Sequence, residues 1–83
     1  MKKVLRFTAS WCGPCKALAP ILESVETTVP IEIVDVDTEE GSKLATKFGI
    51  RGVPTLVMVE DGQVVKSISG LKNKEQLTRW IND

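Results

Sequence analysis

Trp11-Cys12-Gly13-Pro14-Cys15 holds the only two cysteines of the chain, two residues apart, and the remaining sequence reads as the support that presents them. Val4 to Thr8 reads as a strand, and Pro14 sits where a helix would begin, a position that tolerates proline because its missing N–H is not needed there. The cysteines therefore fall where a strand gives way to a helix. Two thiols at this spacing can close into a disulfide and reopen without moving the rest of a fold. Cys12 would stand at the helix N-terminus, where unpaired N–H groups and the positive end of the helix dipole favour an anion. Its thiol should then ionise more readily than a free cysteine, and a thiolate is the species that attacks disulfides. Cys15, one turn further in and less exposed, suits the resolving role. Lys16 either adds positive field near the pair or is a solvated helix lysine.

Other readings of such a pair are half of a zinc site, an iron-sulfur ligand set and a permanent structural bridge. Structural zinc takes four sulfur or nitrogen ligands, and this chain has two cysteines and no histidine. One chain cannot complete that set, although a site shared between two chains stays open. A bridge closing so short a loop would constrain the unfolded chain little, which argues against a purely structural disulfide.

Trp11-Cys12-Gly13-Pro14-Cys15-Lys16 resembles the active-site motif of the thioredoxin family. The match extends to Phe7, Ala9, Pro20, the segment Gly49-Ile50-Arg51-Gly52-Val53-Pro54-Thr55 and Gly70, nearly the whole chain. The resemblance implies a Cys12-Cys15 redox disulfide that needs no bound cofactor and no metal. It also implies a cis Val53-Pro54 bond, in a loop lying against the cysteines. Such a loop would offer the Val53 backbone to an incoming chain in strand fashion. Trp11, Gly13, Pro14, Gly52, Gly70 and Leu71 would complete a shallow apolar surface suited to protein substrates.

The chain departs from the family at one buried position. Thioredoxins usually carry an aspartate six residues before the first cysteine, where it helps accept the proton of the second; here that position is Arg6. The lysine that commonly partners it aligns with Ile33. An arginine cannot serve as a base. Arg6 is expected to reach solvent or to pair with Asp35, which shares the alternation of Ile33. If it approaches Cys15 it would stabilise that thiolate; otherwise it covers a wet face with its aliphatic stem.

Eighty-three residues are expected to make one domain over 1–83, with a modest core. Eleven basic and eleven acidic side chains give zero net charge, so nothing points to nucleic acid or an anionic membrane. Met1-Lys2-Lys3-Val4-Leu5 opens like a signal peptide, but Arg6 interrupts the apolar run. A cytoplasmic, monomeric chain with no membrane span is the expectation.

Periodicity predicts a helix from about Pro14 to Thr27, with Ala17, Leu18, Ile21, Leu22 and Val25 inward and a kink at Pro20. Ile31 to Val36 reads as an edge strand interrupted by Glu32 and Asp35, with Asp37 just beyond. A helix over Glu39 to Phe48 would bury Leu44, Ala45 and Phe48 and end at a left-handed Gly49. Asp61-Gly62 joins strands Thr55 to Glu60 and Gln63 to Ile68 as a hairpin. Asn73 caps the last helix in capping-box fashion with Gln76, its inner face being Leu77, Trp80 and Ile81.

The predicted fold is α/β and thioredoxin-like: a four-stranded mixed sheet with three helices on both faces, in the order β-α-β-α-β-β-α. It lacks the N-terminal strand and helix usual in thioredoxins, so its outline is closer to a glutaredoxin. The expected function is thiol-disulfide exchange on protein substrates, fed by a thioredoxin-reductase-type donor. The alternatives are a glutathione-coupled, glutaredoxin-like enzyme and a non-catalytic interaction module.

Overall fold

The computed structural model describes residues Met1–Asp83. β1 (Lys2–Thr8) leads into α1 (Gly13–Glu23), β2 (Ile31–Asp35) and α2 (Glu39–Lys47). The antiparallel pair β3 (Thr55–Glu60) and β4 (Gln63–Ser69) follows, and α3 (Lys74–Asn82) ends the chain. The sheet order is β2-β1-β3-β4, with β1 and β2 parallel and the other pairs antiparallel. β2 is an edge strand, as its charges predict.

Strand alternation in β1 and β3 sends side chains to two separate cores. Val4, Leu56 and Met58 meet Leu18 and Leu22 of α1 and Leu77 and Ile81 of α3 on one face. Leu5, Phe7, Val57 and Val59 turn the other way with Val34, and α2 packs there through Leu44, Ala45 and Phe48. These three are half-buried and not fully buried, because α2 is the only helix on that face.

The helix ends differ from the periodicity in one case. α1 stops at Glu23, four residues short of Thr27. Ser24 ends it: its N–H reaches the Pro20 and Ile21 carbonyls and its hydroxyl donates to the Ile21 carbonyl at 2.6 Å. Val25 stays in the core from outside the helix, whereas Ala17, expected inward, is exposed. Gly49 has φ 67°, the Gly49 N–H bonds the Thr46 carbonyl and Ile50 N–H the Ala45 carbonyl, a Schellman closure. The Asp61-Gly62 turn has φ of 52° and 82°, the positive pair that a two-residue hairpin needs. Val65 is the extra residue of a bulge beside it, since Met58 pairs with Lys66 but Val59 with Val64.

The capping box of α3 is formed in both directions, Gln76 N–H to Asn73 Oδ1 at 2.8 Å and Asn73 N–H to Gln76 Oε1 at 3.0 Å. Trp80 packs at the border of the α1-side core and is half-buried; the Lys66 ammonium lies 5.3 Å from its ring centroid. The Met1 amino group pairs with Asp61 Oδ1 at 2.7 Å, a contact that raises its pKa.

Candidate functional site

The site forms where β1 ends and α1 begins. Cys12 is the N-cap of α1, in extended conformation at φ −94° and ψ 109°, and its sulfur accepts the Cys15 N–H at 3.2 Å. A sulfur here does what a serine or aspartate oxygen does at other helix starts, satisfying one of the orphan N–H groups. No acidic side chain occupies the first turn of α1, so the helix terminus offers its positive potential to Cys12 alone. Cys12 and Cys15 are joined as a disulfide, their Cα atoms 5.3 Å apart. Both residues are buried, 5% and 2% exposed, so the contrast in exposure expected from the sequence is slight.

The Val53-Pro54 bond is cis, as the family resemblance implies. Cys12 Sγ lies 3.7 Å from the Val53 carbonyl oxygen, and Val53 packs against a cluster of Ala9, Cys12 and Cys15. The loop is pinned from both sides: Thr55 Oγ1 donates to the Gly52 carbonyl at 2.7 Å, and Gly70 N–H to the Pro54 carbonyl at 3.0 Å. The second bond brings Gly70, at φ 86°, and the half-exposed Leu71 beside Pro54. Val53 N–H makes no backbone hydrogen bond. Arg51 to Thr55 and Ser67 to Gly70 line a groove of about 610 Å³ that starts at this loop.

Trp11 is 69% exposed, with Gly13 and Pro14 exposed beyond it. Its indole Nε1 donates to Asp37 Oδ1 at 3.2 Å. Sequence reasoning assigned Asp37 to the polar character of an edge strand and missed this contact. The strand ends at Asp35, the Asp37 N–H turns back to Asp35 Oδ1 at 2.9 Å, and the Asp37 carboxylate is thereby aimed at Trp11. A 26-residue separation leaves no local signal for such a pair.

The residues expected to modulate the pair are more dispersed. Lys16 is exposed and forms no ion pair. Arg6 is 9% exposed and does not pair with Asp35, whose Oδ1 is occupied by the Asp37 N–H. Of the expectations for Arg6, the pairing with Asp35 is not realised; its stem is covered and its guanidinium reaches solvent. No helix is long and apolar enough to cross a membrane.

Comparison with known proteins agrees with this geometry. The thioredoxin family model matches residues 1–83. A thioredoxin of Bacillus subtilis is 41% identical over 78 residues, covering 92% of this chain and 75% of that protein. One from Chlamydia pneumoniae is 43% identical over 77 residues, with 92% and 76% covered. Among solved structures, a point mutant of Halobacterium salinarum thioredoxin superposes with a TM-score of 0.87 at 38% identity, over 98% of this chain and 72% of that one. Malassezia sympodialis thioredoxin gives 0.86 at 35% identity, with the same coverage. A sulfur-capped helix start, a two-residue spacing closed as a disulfide and these relatives agree on one chemistry: the chain belongs to the thioredoxin family and is a thiol-disulfide oxidoreductase.

Proposed function

We propose that the chain reduces protein disulfides, with Cys12 as nucleophile and Cys15 as resolving thiol. The Cys12 thiolate attacks one sulfur of a substrate disulfide, forming a mixed disulfide and expelling one substrate thiolate. The Cys15 thiolate then attacks Cys12 Sγ, closing the Cys12-Cys15 bond and expelling the second. Two electrons pass to the substrate, and the released thiolates take protons from water. The observation that carries this assignment is Cys12 at the N-cap, with the Cys15 N–H aimed at its sulfur. Those donors favour negative charge on Cys12 in the reduced state.

The substrate chain binds over Trp11, Gly13, Pro14, Gly52, Val53, Pro54, Gly70 and Leu71. The free Val53 N–H supplies a backbone donor, and the exposed Trp11 and Leu71 supply apolar contact. The surface is shallow and continuous with the groove beside Pro54, which suits a polypeptide better than a small molecule. Residues 1–83 act as one monomeric unit in the cytoplasm, where a thioredoxin-reductase-type donor returns the dithiol. The sulfurs carry both electrons, so the cycle uses no further cofactor.

The test is turnover of a disulfide-containing protein with dithiothreitol as donor. The unmodified chain accelerates reduction and Cys12→Ser does not. Failure of the unmodified chain to accelerate reduction would instead leave an interaction module. Exchanging the donor for glutathione separates the glutaredoxin-like reading, which requires glutathione to sustain turnover.

A further inference from the structure

Arg6 is the one charged side chain in the core, and no ion pair or side-chain hydrogen bond holds it. Burying an unpaired guanidinium is costly. No side-chain nitrogen is both fully buried and unpaired, so the guanidinium touches solvent while its stem is covered.

Register places this cation near the redox pair. Val4 lies in the core that Leu18 and Leu22 of α1 also enter, so Arg6, two residues on, faces that side of the sheet as well. The helix runs back antiparallel to β1, and its buried stripe is Cys15, Leu18 and Leu22. Two strand residues advance about 6.6 Å and four helix residues about 6 Å, which sets Arg6 level with Leu18, a turn from Cys15. Across β3 its neighbour Leu56 is buried; across β2 its neighbour Ile33 is 63% exposed, and the route to solvent lies there. The other charged groups near this turn are Lys16 on α1, exposed, and Asp35 at the end of β2, engaged with the Asp37 N–H. β1 carries no carboxylate that could accept the Cys15 proton.

We propose that Arg6 is a positioning residue for the resolving step: it places a cation behind Cys15 that stabilises the Cys15 thiolate. The proposal rests on the reading of Cys12-Cys15 as an exchanging pair. Cys15 then gives its proton to water before the step and attacks as an anion, with no internal base. The new S–S bond forms to Cys12 as the bond from Cys12 to the substrate sulfur breaks, and the substrate leaves as a thiolate. A cation that favours a thiolate favours the reduced pair, so it makes the couple more oxidising.

The direct test is thiolate absorbance titration of Cys15 in a Cys12→Ser background, with and without Arg6→Met. Removing the cation should raise the midpoint by about one pH unit, a ten-fold loss of thiolate at lower pH. Arg6→Lys should restore most of it. In the intact pair, Arg6→Met should increase the oxidised fraction at a fixed glutathione ratio. An unchanged midpoint in a folded Arg6→Met variant overturns the proposal, and Arg6→Gln provides the same comparison should the methionine variant not fold. Inactivity of the unmodified chain in protein-disulfide reduction would be a failure of the underlying reading instead.

Discussion

At the residue scale the site is held by few contacts, and Asp37 is the one whose removal isolates substrate binding from chemistry. It anchors the indole of Trp11 and is itself exposed. Asp37→Ala should leave the thiols untouched and raise KM for a protein substrate about two- to five-fold, the effect of one partly exposed hydrogen bond worth under ~1 kcal/mol. Reaction with a small disulfide should stay at the parent rate; a parallel loss there would show that Asp37 acts on the cysteines and not on Trp11. The contrast between Cys12 and Asp37 also shows what the sequence discloses. Cys12, Gly13, Pro14 and Cys15 are legible because their roles depend on near neighbours: a strand end, a helix start and a two-residue spacing. Asp37 is not, because its role depends on where the turn after β2 aims it, and Arg6 is legible only as an oddity until its burial is seen.

At the element scale, caps and close approaches fix where each helix sits relative to the site. α2 starts at Thr38, whose hydroxyl accepts the Gly41 N–H at 2.9 Å and donates to the Asp35 carbonyl at 2.8 Å. A Cβ on Gly41 would fall 1.8 Å from that same carbonyl oxygen. The obstacle is backbone, so Gly41→Ala must push α2 away from the Asp35 turn, at a cost of about 2 kcal/mol or more. Because that turn also aims Asp37, the variant should combine a lower melting temperature with the weaker substrate binding of Asp37→Ala. An unchanged melting temperature would mean the helix start is not held as described. Asn73→Ala removes the side-chain acceptor of the α3 capping box, leaving the Gln76 N–H without its partner, and should cost about 1 kcal/mol without affecting turnover, read by denaturant midpoint at constant m-value. The hairpin and caps were legible because their chemistry is local; the early end of α1 was not, because Val25 continues the apolar period after the helix has stopped.

At the scale of the whole molecule, one sheet divides two modest cores, and the redox pair lies at the end of the strand that feeds both. Leu77 of α3 is fully buried on the α1 side. Leu77→Ala should cost roughly 3 kcal/mol, which for a domain of this size lowers the melting temperature by more than about 10 °C. Calorimetry that found a shift of a degree or two would mean the α3 face contributes little to stability. The mixed sheet and the two-sided placement of helices were legible because parallel crossovers have one hand and the hairpin is marked by Asp61-Gly62; the pairing of β1 with β3, which sets the strand order, has no local signal. The central claim, that Cys12 attacks and Cys15 resolves, is tested most directly by trapping. Cys15→Ser, incubated with a disulfide-containing protein and mapped by mass spectrometry, should accumulate a dithiothreitol-reversible mixed disulfide at Cys12, while Cys12→Ser accumulates none. An adduct on Cys15 in Cys12→Ser, with no adduct on Cys12 in Cys15→Ser, would contradict the account.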